Sequence, residues 1–212
     1  MSEVLITLGI IGIVAAMTMP VLIENYKKHE TVSRLKKAYT VLNQAYKLSQ
    51  VDNGEPINWE DPFTIGIEKF FQTYWFPYLV INKNCKTYQE CGYNNVYPWK
   101  TFQGKVFELV LVSDPTRRVI ILPDGILVQI VISTGDATLP DYQINVDING
   151  PGKPNIAGKD VFCFTWDGVS GIVPKNYNDT PDSVISRCKQ YGTSCAAKII
   201  QDGWKIKEDY PW

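Results

Sequence analysis

Histidine is almost missing from this chain: His29 is the single one in 212 residues, and it stands in a charged stretch. That scarcity removes the local base of a Ser-His-Asp triad and the paired ligands of a zinc protease. Also lacking is a glycine-rich loop ending in Lys-Ser or Lys-Thr that would cradle phosphate. Gly168-Val169-Ser170-Gly171 does not have the spacing of a nucleophile elbow. Carboxylate pairs for glycoside hydrolysis stay open, since any two acids can converge in space. Neither sign of charge is in excess, with 21 Lys and Arg against 22 Asp and Glu. The one modest basic cluster, Lys27, Lys28, Arg34, Lys36 and Lys37, is not the broad basic face that nucleic acid calls for, so no nucleic-acid partner is expected. There is no internal repeat and no low-complexity segment, and the length suits one globular domain with an appended element.

Five cysteines are present, as two close pairs and a single. Cys85 and Cys91 form one pair, Cys188 and Cys195 the other, and neither has the C-x-x-C spacing of zinc knuckles or thioredoxin-like sites. We read two short-loop disulfides, with Cys163 left over inside an apolar run, and therefore an oxidising compartment. The alternative is five reduced, ordinary thiols.

What is present in abundance is grease at one end. From Val4 to Ile23 the chain reads VLITLGIIGIVAAMTMPVLI, without a charge, between Glu3 and Glu24. A run of about 20 apolar residues is long enough to cross a bilayer as a helix. A cleaved secretory signal would have a basic start, a shorter core and a small-residue cleavage site, and none of these is here. Gly9 and Gly12 are small enough for backbones to approach closely, and Pro20 is expected to kink the rod without ending it. Beyond the run, Val32, Leu35, Tyr39, Leu42 and Tyr46 recur three and four apart, with Ala38 and Ala45 beside them. Lys36, Lys37, Asn43 and Lys47 fall off that stripe, so the helix is expected to continue as an amphipathic segment to about Ser49. The stripe is too short for a sustained coiled coil, so it should pack on this chain's own domain.

The segment from Glu3 to Pro20 resembles the N-terminal methylation segment of type IV pilins and type II secretion pseudopilins: an acid enters an uncharged span that carries a late proline. The stretch from Tyr26 to Ser49 resembles the continuation in the same proteins. The resemblance implies a filament subunit, a single-pass protein of the bacterial inner membrane with its C-terminal domain in the periplasm. It implies Glu3 and Pro20 as assembly residues, with Glu3 meeting the free N-terminal amine of a neighbouring subunit. A carboxylate in hydrocarbon is costly without such a partner. Implied partners are further copies, other pilins or pseudopilins, the assembly platform and the inner membrane. Family precursors carry a basic leader ending in Gly before a methylated Phe, whereas only Met1 and Ser2 precede Glu3 here. The expectation is therefore a start upstream, where a prepilin peptidase would cut. That leader would also place the domain outside, although the visible basic residues after the span point the other way.

The remainder predicts an α+β fold: a long N-terminal helix, half transmembrane and half amphipathic, packed on an antiparallel sheet. Residues 1–24 are expected as the membrane half, and 25–212 as the pilin-like domain including the helix half 25–50. A helix is expected over Phe63 to Phe76, burying Ile67, Phe70, Phe71 and Trp75. Strands are expected at Val106 to Val112, Arg117 to Leu122, Ile126 to Ser133, Gln143 to Ile148 and Asp160 to Trp166, with Pro123-Asp124-Gly125 as a turn. A last helix is expected from Ser194 to Gln201, stopped by Asp202-Gly203.

Asp147, Asn149, Asn155 and Asp160, with three glycines among them, could offer oxygens to calcium, though not as an EF-hand. The stretch also resembles a segment before the last strands of many pilin-like proteins, some of which bind calcium nearby. The alternative is a loop of Asx turns that needs no metal. Trp204, Tyr210 and Trp212 are expected as core, with a sugar-stacking patch as the other reading. The chain is thus expected to be a polymerising structural protein, not an enzyme, with no required cofactor. The alternative is a membrane-anchored periplasmic ligand-binding module.

Overall fold

The computed structural model describes residues 2–107, 116–133, 141–166 and 171–212. The first helix, α1 (Ser2–Asn53), is continuous and carries Pro20 inside it. Its 52 residues make a rod about 78 Å long at 1.5 Å per residue. Gly54, with φ +76, follows its last residue. Along the first half the described large apolar side chains stand 52–72% exposed, from Ile23 to Met17. Along the second half Leu35, Ala38, Leu42, Ala45 and Tyr46 are buried, as the three-and-four spacing requires. Each buried leucine there contributes about 1.5–3 kcal/mol.

What buries the stripe is a six-stranded antiparallel sheet whose strands lie in sequence order: β1 (Lys83–Cys85), β2 (Arg117–Ile121), β3 (Leu127–Ser133), β4 (Asp141–Asp147), β5 (Val161–Trp166) and β6 (Ile172–Pro174). This is an α+β arrangement, and four of the five expected strands fall within a residue or two of their expected places. Of the fifth, Val106 bridges Lys100, and residues 108–115 lie outside the described residues. So does most of the Gly168–Gly171 stretch. The turn at Pro123–Gly125 joins β2 to β3, with Ile121 opposite Leu127.

Alternation puts Ile144 and Val146 on one face of β4 and Asn145 and Asp147 on the other, and the sheet carries a core on each side. One side holds Ile120, Val128, Ile130, Phe162, Phe164 and Trp166 against α1. Tyr39 stacks on Phe164 at 5.8 Å, and Tyr46 meets Trp166 edge-on at 5.8 Å. The other side holds Val119, Leu127 and Val161 under Tyr88, Tyr93 and Trp99.

The helix expected over 63–76 is two helices, α2 (Pro62–Ile65) and α3 (Ile67–Tyr74), because Gly66 at φ +91 breaks the path. Phe70, Phe71 and Trp75 are buried as expected, while Ile67 is only partly so. Two later helices form a pair, α4 (Pro181–Tyr191) and α5 (Cys195–Gln201). Thr180 caps α4, its side chain accepting from the Ser183 amide, an element the sequence reading had not anticipated. Disulfides join Cys85 to Cys91 and Cys188 to Cys195, and Cys163 is buried outside both of them.

Candidate functional site

The sequence points to two places, the apolar rod and the Asp/Asn loop, and the fold joins them. Glu3 lies in the first turn of α1, and its side chain falls outside what the structure describes. Pro20 lies in the exposed half, where the helix runs on through it. The helix is long and apolar enough to cross a membrane, and no part of that stretch is buried in the domain. Where burial begins, the loop between β4 and β5 meets the rod. Thr31 reaches the Lys159 carbonyl at 3.5 Å, and Arg34 Nη1 donates to the Ile148 carbonyl at 3.1 Å.

That loop is built around two buried acids. Asp147 ends β4 and is fully buried. The Tyr93 hydroxyl and the Trp99 indole both donate to its Oδ2, at 2.8 and 2.9 Å, and the Asn149 amide donates to Oδ1 at 3.3 Å. Asp160, also buried, accepts from the backbone amides of Asn155 at 2.7 Å and Ile156 at 2.6 Å. With its amide nitrogen turned inward, Asn155 donates to the carbonyls of Gly152 and Gly150 and to Asp147 Oδ2. Gly150 is required here: its φ is +59, and a Cβ would meet the Gly125 carbonyl oxygen at 2.6 Å.

Burial, and then the nearby Asp160 charge, push the Asp147 carboxyl well above the usual carboxylate range. Burial likewise raises Asp160 to about 6 in spite of its two backbone donors. Burial and the Asp147 charge push the Tyr93 phenol upward, so it remains a donor.

The four residues singled out for calcium therefore do converge. The carboxylate oxygens of Asp147 and Asp160 accept from N–H and O–H donors. Among the described residues no group of three His, Cys, Asp or Glu could hold a metal ion. As the side chains stand, hydrogen bonds close the loop around both acids.

The tail packs onto the same loop, and loop and tail together make a collar beside the rod. Tyr210 is buried and donates to the Gly158 carbonyl, while Trp204 lies 5.7 Å from Tyr39 and, with Trp212, packs on the core. Tyr210 is core, as expected, while Trp204 and Trp212 are only partly buried. Sequence reasoning missed Tyr93 and Trp99 as the holders of Asp147, and missed Thr31 and Arg34 as the link from rod to loop. It also missed a polar rung across the sheet, where Asn145 donates to Gln129 at 2.7 Å and the Cys163 thiol lies 3.0 Å from Asn145. Strand parity carried a signal for part of this: Asn145 and Asp147 are two apart, so they share a face.

The fold and collar define a rod-anchored α+β domain. Residues 21–177 match the model of the family of unknown function DUF6613, and the chain belongs to that family. The match takes in the buried half of α1 and all six strands. No curated protein and no solved structure matches the chain.

Proposed function

We propose that this chain is a structural subunit, a pilin or pseudopilin, of a type IV pilus-like or type II secretion filament. One observation carries the reading: a single helix is sheltered by its own domain along one half and by none of the described residues along the other. An apolar surface of that size needs either lipid or copies of itself. In this reading the rod is stored in the inner membrane and then drawn into a filament core, where neighbouring rods cover one another. Glu3 sets the register there, and the domain, oxidised in the periplasm, decorates the outside. The role is structural rather than catalytic and requires no cofactor.

The test is to express the full chain with its assembly partners and recover sheared, high-mass material. Wild type should be found in that fraction, and Glu3→Ala should stay in the membrane with both disulfides intact. Wild type that remains as separate copies in the bilayer would sink the proposal and favour the anchored ligand-binding module. Calorimetric titration with calcium should give no saturable heat. A saturable heat that Asp147→Ala removes would restore the cation.

A further inference from the structure

Just outside the apolar span, the helix and the Asp/Asn loop enclose a cleft of about 490 Å³. Lys27, Thr31 and Arg34 line it from α1, Lys153 and Lys159 from the loop, and Trp212 from the tail. Two acids share the lining, and both are already engaged. Glu30 pairs with Arg34 at 3.2 Å, and Asp160 is held by the two backbone amides described above. Lys27, Lys153 and Lys159, by contrast, form no ion pair among the described residues. With Lys27, Arg34, Lys153 and Lys159 against Glu30 and Asp160, the lining of the cleft is net positive.

Its height along the rod says what could neutralise it. Lys27 is four residues beyond Ile23, about 6 Å up the helix axis. The headgroup layer on each side of a bilayer is about 5–8 Å deep. Lysine ammonium groups suit phosphate as point charges, and basic residues near a membrane surface attract anionic lipid. Lys28 lies 6.0 Å from the Trp212 ring, and aromatic rings favour the same interface.

We propose that this cleft binds the phosphate of an anionic phospholipid, holding the domain down on the membrane until the rod is withdrawn. The inference rests on the membrane-anchored reading. The Thr31 and Arg34 contacts keep the two walls together, so the site travels with the fold. Leaving the bilayer then means leaving that lipid, and extraction is set partly by headgroup charge.

The experiment is native mass spectrometry of the full chain released from bilayers of equal phosphatidylcholine and phosphatidylglycerol. Wild type should retain about one phosphatidylglycerol per chain in preference to phosphatidylcholine. The variant K153E/K159E should lose that preference at least fivefold, with K153Q/K159Q in between and K105E, outside the cleft, unchanged. Disulfide mass and circular dichroism confirm that each variant is folded. Equal retention of both lipids by an inserted wild type overturns the headgroup site and leaves the anchor standing. Wild type washed off the vesicles by alkaline carbonate removes the anchor and this site together. Displacement of the lipid by millimolar inorganic phosphate would assign the cleft to soluble anions and overturn the lipid assignment.

Discussion

One helix meets two opposite environments. Residues of the same type, Ile11 and Leu42 for instance, sit in one unbroken rod, yet the first is 63% exposed and the second not at all. Backbone hydrogen bonding is the same for both. The difference is that residues after Thr31 are spaced to face a sheet, whereas those before Glu24 are apolar on every side. A stripe specifies a partner inside the chain, and an all-round apolar surface specifies one outside it.

Substitution at matched places is the strongest way to break that contrast. Leu42→Ala should cost the domain about 2–5 kcal/mol, because it leaves a cavity between helix and sheet. Ile11→Ala should leave domain unfolding in detergent unchanged, and similar losses for both would mean that the two halves are not independent.

The junction between the halves should respond to pH. Asp160 titrates near 6 in the fold against an ordinary value near 3.8, so between those values the folded state binds more protons than the unfolded one. Stability is therefore full below about pH 4 and falls as pH rises through 6, by about 3 kcal/mol at about 1.4 kcal/mol for each tenfold change in proton affinity. Asp147 is shifted in the same direction, so its contribution has the same sign. Urea unfolding from pH 4 to 8 should show this slope, and Asp160→Asn should flatten it. A rising slope would show that the backbone donors outweigh burial.

Removing the Cys188–Cys195 bond by paired Ser substitutions tests the far side of the collar. The two residues are separated by 7 in sequence, and loop-closure entropy for so short a ring gives about 2–3 kcal/mol. Smallest of all is Glu24→Ala. It breaks an exposed i,i+4 pair with Lys28 on the unsheltered part of the rod and should change domain unfolding by less than about 0.5 kcal/mol.

Local periodicity is why so much of the fold was legible. The stripe from Val32 to Tyr46, the apolar runs of β3 and β5 and the Asp202-Gly203 stop are each written in a few adjacent residues. Short elements were not: β1 and β6 have three residues each, too few to show a period, and exist because β2 and β5 offer free edges. The break at Gly66 was visible as a glycine, but its positive φ was not. The loop acids stand out in the sequence by type, while the Tyr93 and Trp99 donors to Asp147 come from 54 and 48 residues away. Which donors surround an acid is decided by contacts that the local sequence does not spell out.

The order of the sheet has a bearing on how such a molecule is made. Among the described residues, each strand after β1 lies beside the one synthesised just before it, up to β6, without a crossover. A polypeptide that emerges amino end first can add strands to a growing edge as they arrive, and no early piece has to wait for a late one to slot between its neighbours. Construction can keep pace with delivery, which suits a domain tethered from its first residues.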